Sequence, residues 1–193
     1  MFDFCGMTRQ KRALLTLAGL TAIGMPLLGA TLAWLFDVPL RDRLLMGENI
    51  LVQLAVGVVV GLLAGFGARF LISQPFMAGV RMKYARLFAN LELSMSEVLF
   101  IALCAGFGEE ILFRGALQPL LGIPITSVFF VLIHGYLNPK DWRISIYGLF
   151  MTAVIFGFGY MTEFFGIWSA MVAHTVIDII LLLDMDGDDV GFA

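Results

Sequence analysis

Six apolar runs, at 13–36, 50–68, 98–118, 123–137, 144–161 and 164–183, fill most of this 193-residue chain, with short polar connections between them. About 20 apolar residues in helical form are enough to cross a hydrocarbon core of ~30 Å. Lipid offers no partner to a free N–H or C=O, so spanning segments of this kind must close their hydrogen bonds internally, as α-helices do. Charged residues make up 14% and hydrophobic residues 60% of the chain, and its mean hydropathy is +0.94. Soluble domains carry about 25% charged residues. The expected fold is therefore all-α: a polytopic integral membrane bundle of about six transmembrane helices, with residues 1–193 as a single membrane domain.

The polar connections add orientation. Arg9, Lys11 and Arg12 precede the first run. That run is longer than the apolar core of about 7–15 residues in a signal peptide and has no clear small-x-small cleavage site, so it reads as a retained helix, kinked at Pro26. With the N-terminus inside, Arg69, Arg81, Lys83, Arg86, Lys140 and Arg143 are cytoplasmic too, and only Arg41 and Arg43 fall outside. This distribution predicts a multi-pass cell-membrane protein with both termini cytoplasmic. Trp34 and Trp168 then mark outer ends and Trp142 an inner one. Residues 73–92 interleave Arg81, Lys83 and Arg86 with Met82, Tyr84, Leu87 and Phe88, which suits an interfacial amphipathic helix or a basic loop. Gly57, Gly61 and Gly65 recur every four residues and offer one helix face for close packing, within the chain or in a homodimer. The oligomeric state stays open.

Several classes are excluded. A net charge of −3, with basic residues confined to short clusters, gives no nucleic-acid surface. Cys5 and Cys104 are too separate to suggest a disulfide, and no CxxC or Cys/His metal spacing occurs. The acidic tail at 184–193 lacks the 12-residue spacing of a calcium loop.

The informative residues are the charges inside the apolar runs. Each costs about 2.5–3.5 kcal/mol on insertion scales and is a functional candidate by default. Gly108 to Gly115 holds three of them: Glu109, Glu110 and Arg114. Glu110 and Arg114 are i,i+4 and share a helix face. Glu109 lies about 100° around the helix, so one arginine cannot serve both carboxylates equally. One is paired and one is left for other work. Both histidines of the chain, His134 and His174, lie in apolar runs, and His174 and Asp178 are i,i+4. At 1.5 Å per residue from the outer ends, Glu109 lies about 14 Å deep, His134 about 17 Å, His174 about 15 Å and Asp178 about 21 Å. Three helices thus bring ionisable groups to one level, which predicts a single polar site inside the bundle.

Two chemistries suit this set. Without a metal, Glu109 and His134 hold a water and Glu109 takes its proton as general base. His174 and Asp178 then stabilise an oxyanion, Asp178 donating only when protonated. With a metal, Glu109, His134 and His174 form a His₂Glu set for Zn²⁺ with one open position. The chain has no HExxH, so such a set must come from separate helices. The metal-free form is favoured; the cofactor is none or Zn²⁺. Cys104, Ser127 and Ser169 lack a nucleophile's surroundings and read as packing residues.

Glu109-Glu110-x-x-x-Arg114, Phe130-x-x-x-His134 and His174-x-x-x-Asp178 follow one another on separate apolar runs. In this the chain resembles the intramembrane proteases of the CAAX-protease and bacteriocin-processing group, also called the Abi or CPBP family, over roughly residues 98–183. The resemblance implies an intramembrane endopeptidase, a hydrolase often labelled a metalloprotease, acting on membrane-associated or prenylated (CAAX-type) substrates. It implies that Glu109 is the general base, that His134 shares its water, that His174 and Asp178 form the oxyanion site, and that Glu110 and Arg114 support the architecture. Asp178 stands where prenyl-protein-cleaving members carry Asn, which leaves it a second role in orienting His174. The alternative is a non-catalytic membrane immunity or scaffold protein of the same fold. A proton-coupled transporter is weaker, since no inverted repeat or pair of broken helices is visible.

Overall fold

The computed structural model describes residues 8–88 and 91–187, and all regular structure among them is helical. Cys5 and the acidic tail beyond 187 lie outside the described residues. The elements are α1 (Arg9–Leu35), α2 (Leu40–Leu45), α3 (Ile50–Ile72), α4 (Ala78–Phe88), α5 (Met95–Glu110), a π-helical turn (Ile111–Leu117), α6 (Gln118–Ile133), α7 (Trp142–Phe164) and α8 (Ile167–Gly187). Among the described residues five helices are long and apolar enough to cross a membrane, one of them the 39-residue run Met95–Ile133.

That long run contains the third and fourth expected spans. Gly122, at φ 77° and ψ 164°, breaks it. Only glycine adopts this backbone freely, and Pro124 starts the next helical turn. The chain reverses there: Phe113 packs on Phe130 with ring centroids 4.8 Å apart, and Glu109 lies beside His134. Two antiparallel arms result, so five long helical runs among the described residues stand where six spans are expected.

The second arm is short, and it ends at Ile133 instead of continuing to 137. Gly135, at φ 74°, terminates it. The N–H of Gly135 donates to Leu132 O (3.0 Å) and that of Tyr136 to Val131 O (3.3 Å), a Schellman closure. From 123 to 133 the arm rises only about 16 Å, roughly half the hydrocarbon thickness. His134 therefore stands at the end of a half-length helix, followed by non-helical backbone. Such backbone is tolerated at membrane depth where protein covers it or it lines a water-filled cavity. The α7–α8 connection lies three residues later than the apolar runs place it: Glu163 sits in the last turn of α7, and Phe165 and Gly166 alone join the helices. Gly166 supplies the left-handed backbone that the turn requires.

Other helix ends follow local chemistry. The Asn49 side chain caps α3 by accepting from Leu51 N (2.9 Å). Ser94 and Glu97 form a capping box at α5, which moves its start ahead of the apolar run. Lys11 joins Glu97 at 2.8 Å and ties the start of α1 to the start of α5. Residues 78–88 are helical, as one of the two readings of that segment has it, with Arg81, Met82 and Lys83 exposed.

Apolar burial between helices gains little in lipid, so close approach must come from small residues. α3 packs along α8 through Gly57, Gly61 and Gly65. A β-carbon at Gly57 would stand 2.7 Å from Ser169 O, and one at Gly61 2.7 Å from Val176 Cβ. The four-residue glycine repeat thus serves contact within the chain. Large side chains such as Leu51, Leu63 and Phe70 project outward. Gly61→Leu should lower the thermal midpoint in detergent, at a cost of about 1–3 kcal/mol from overpacking. Gly24→Leu, where a β-carbon meets nothing within 4 Å, should leave the midpoint nearly unchanged. Equal midpoints for both variants would refute this account of the α3–α8 contact.

Candidate active site

The last turn of α5 is wedged between two other helices. A β-carbon at Gly106 would collide with Thr175 Oγ1 of α8, and one at Gly108 would lie 2.6 Å from Thr21 O of α1. These glycines let α5 settle between α1 and α8, and the two carboxylates that follow inherit its position. Glu110 turns into the protein and is fully buried, whereas the Glu109 side chain retains 13% exposure.

Glu110 is held from two sides. Arg114 Nη1 donates to Glu110 Oε1 at 3.0 Å, and Arg114 Nε lies 3.0 Å from Oε2 without a well-aligned hydrogen bond. His174 Nδ1 lies 2.8 Å from the same Oε1. A carboxylate between two nitrogens accepts, so Nδ1 of His174 carries the proton and donates. Arg114 itself is 1% exposed, donates Nη2 to Ile155 O at 3.3 Å, and lies 5.1 Å from the Phe130 ring centroid and 5.9 Å from that of Phe158. The guanidinium therefore has ionic, hydrogen-bonding and cation–π partners, as a cation in an apolar interior needs.

Glu109 meets the other histidine. His134 Nε2 lies 3.5 Å from Glu109 Oε2, too far for a good hydrogen bond. His134 Nδ1 is 2.7 Å from Phe130 O. That carbonyl belongs to the last turn of α6 and has lost its helical donor, so His134 Nδ1–H supplies one. Neutral His134 then presents a lone pair at Nε2. The spacing Phe130-x-x-x-His134 also stacks the two rings, 4.4 Å between centroids. Glu109 Oε2 is buried and has no hydrogen-bond partner among the described residues. Two acceptors thus face each other at 3.5 Å, with no donor between them among the described residues.

Asp178 Oδ2 is 3.7 Å from His174 Nε2, beyond hydrogen-bond range. Since Nδ1 is committed to Glu110, His174 can donate from Nε2 only as the imidazolium. The structure brings Glu109, Glu110, Arg114, His134, His174 and Asp178 into one cluster, linked as two subsets: Glu109 with His134, and Glu110 with Arg114, His174 and Asp178. Among the described residues no three His, Cys, Asp or Glu side chains are grouped to hold a metal ion. His174 gives Nδ1 to Glu110 and keeps Nε2, 3.7 Å from Asp178 Oδ2, for any further partner.

Two features escape a reading of the sequence. The first is the bond between Glu110 and His174, which joins helices 64 residues apart. The second is the π-helical turn at Ile111–Leu117, immediately after the paired carboxylates. Turns of this kind concentrate at functional sites. Apolar periodicity does not announce one, although Pro119, which cannot donate a main-chain hydrogen bond, is a signal nearby. Glycine spacing in Gly106-x-Gly108 is a further signal for close packing beside the carboxylates.

Comparison with known proteins places residues 91–180 on a family model described as type II CAAX prenyl endopeptidase Rce1-like. The uncharacterized protein YpbD of Bacillus subtilis (strain 168) is 36% identical over 89 residues, which is 45% of this chain and 44% of that one. The chain thus spans less than half the length of this curated relative. No solved structure matches.

Arg114→Met should destabilise the protein by about 3–5 kcal/mol, because it leaves the buried Glu110 carboxylate without its cation. Arg114→Met combined with Glu110→Gln should recover part of that loss. Denaturant unfolding in detergent micelles measures both, and a single variant as stable as the parent would contradict the pairing.

Proposed function

We propose that this chain, whose residues 91–180 match a family model described as type II CAAX prenyl endopeptidase Rce1-like, is an intramembrane endopeptidase that hydrolyses membrane-associated or prenylated (CAAX-type) substrates through a water held by Glu109 and His134. The observation that carries this reading is the buried, unpartnered Glu109 Oε2, 3.5 Å from an Nε2 that neutral His134 presents as an acceptor. A water donating one hydrogen to each group satisfies both and turns its lone pairs away from them.

The water oxygen attacks the scissile carbonyl carbon, and Glu109 accepts the proton that is released. The carbonyl oxygen becomes an oxyanion beside His174 and Asp178. His174 donates to it from Nε2 in the imidazolium form; Asp178 either donates when protonated or holds the ring in place. On collapse the C–N bond breaks, and the amine leaves with the proton from Glu109. Glu110 and Arg114 do not touch the reacting atoms: Arg114 fixes Glu110, and Glu110 fixes Nδ1 of His174. No step in this scheme depends on a metal ion. The substrate reaches the site from the lipid bilayer or from the side on which both termini lie, which the basic residues assign to the cytoplasm of a cell-membrane protein.

Glu109→Gln should lower kcat by about 10²–10⁴ on a membrane-anchored peptide in proteoliposomes, with an unchanged thermal midpoint. A variant cleaving at the parent rate removes the catalytic assignment, and full biological activity in Glu109→Gln and His134→Ala together supports the immunity or scaffold reading. Purified active protein should keep its rate after chelation and contain zinc well below one equivalent. Activity lost to the chelator and restored by Zn²⁺ would replace the metal-free chemistry.

A further inference from the structure

The π-helical turn leaves a gap in the main-chain hydrogen bonding, and a residue distant in sequence fills it. The Gln118 N–H closes the turn by donating five residues back, to Phe113 O. The next carbonyl, that of Arg114, would look to position 119, but Pro119 has no N–H. Arg43, on the short helix α2, donates Nε to Arg114 O at 3.2 Å. We propose that Arg43 is a positioning residue for the candidate active site, serving the Arg114 carbonyl and so holding the π turn that sets Arg114 against Glu110, the carboxylate that His174 also meets.

The surroundings of Arg43 fit this role. Its Nη2 donates to Glu163 Oε1 at 2.7 Å, and that oxygen also accepts Gln118 Nε2 at 2.7 Å. Gln118 Nε2 reaches Gly159 O at 3.1 Å as well. One guanidinium therefore connects α2, the end of α7 and both sides of the π turn. Leu40, at the start of α2, lies against Gly115: a β-carbon there would be 2.6 Å from Leu40 Cδ1. Trp168 Nε1 donates to Leu44 O at 3.0 Å and fastens α2 to α8. The six-residue helix α2 thus bears on the turn at two successive residues, Arg114 and Gly115, from a fixed position.

The consequence is specific to the turn. Relaxation of residues 111–117 to α register would keep Arg114 on the same face as Glu110, four residues before it, but would turn its guanidinium away from the Ile155 carbonyl of α7, to which Nη2 donates at 3.3 Å. Glu110, drawn along with the guanidinium, would then shift from His174 Nδ1. The contact with Glu163 is different in kind, since the Glu163 side chain is 45% exposed and an exposed ion pair contributes little.

The activity arm of the test rests on the endopeptidase reading; the exchange arm does not. In proteoliposomes, Arg43→Met should lower kcat about tenfold, the rate equivalent of one ordinary hydrogen bond, with KM within about twofold of the parent. Glu163→Gln should stay within about twofold of the parent, and Arg43→Gln, which keeps an N–H donor, should fall between the two. Hydrogen exchange on the full-length variants should show the main-chain amides of 114–118 opening about tenfold faster in Arg43→Met and near the parent rate in Glu163→Gln. A parent-like kcat in Arg43→Met, or an equal loss in Glu163→Gln, overturns the proposal. If the parent cleaves no peptide, the endopeptidase reading fails by itself; unchanged exchange in Arg43→Met then still overturns the role of Arg43, and accelerated exchange sustains it.

Discussion

A single carboxylate, Glu110, organises the interior of this protein. It is fully buried, and a carboxylate in that position is tolerable only with charge and hydrogen bonds around it. Arg114 supplies the charge from one helical turn away, and His174 supplies a second donor from α8. Every close helix contact near the centre can be read as a condition for that meeting. Gly106 and Gly108 let α5 approach α8 and α1, and Gly57, Gly61 and Gly65 let α3 support α8 from its other side. Around the ionic centre Phe113, Phe130, Ile155 and Phe158 exclude solvent, which strengthens the electrostatic terms and raises the cost of losing any one of them.

The same rule of backbone satisfaction shapes the second half of the site. A helix ended at half depth leaves carbonyls that lipid cannot serve. The Schellman closure at Gly135 serves Val131 and Leu132, and His134 Nδ1 serves Phe130. Helix termination and tautomer selection are therefore one event: the bond that closes α6 also decides which nitrogen of His134 faces Glu109. Glu109 and Glu110 are adjacent in sequence yet have different surroundings: Glu110 Oε1 meets Arg114 Nη1 and His174 Nδ1 while its Oε2 lies 3.0 Å from Arg114 Nε, whereas the buried Oε2 of Glu109 has no hydrogen-bond partner among the described residues.

Much of the fold was legible because membrane helices advertise themselves by composition. The apolar runs located the helices to within a few residues, and the glycine repeat on α3 marked a packing face. The errors were at ends. α5 begins at Met95 because Ser94 and Glu97 form a capping box, a signal that an apolar run does not contain. α6 stops before His134 because Gly135 takes the left-handed conformation. The break at Gly122 reverses the chain without a long loop, so two expected spans form one helical run. In the site, the rare intramembrane charges were legible as candidates, and the i,i+4 spacing gave the Glu110–Arg114 pair. The contact of His174 with Glu110, which ties His174 and Asp178 to the arginine pair, was not legible.

What the sequence determined by itself is the class of fold and the identity of the polar residues. Both follow from local quantities: hydropathy over a span, and the free-energy cost of each charge placed within it. The tertiary structure alone decided that Glu110 is shared with His174, that Glu109 faces Nε2 of His134, and that Arg43 reaches the carbonyl of Arg114. These contacts join residues 64, 25 and 71 positions apart. Helical periodicity fixes the direction of a side chain relative to its own axis, but the rotation of one helix against another is set by packing. Here that packing is set by glycines, by one reversal at Gly122 and by a π turn, and together they decide that the carboxylate paired with the arginine also meets His174 and that its neighbour faces His134.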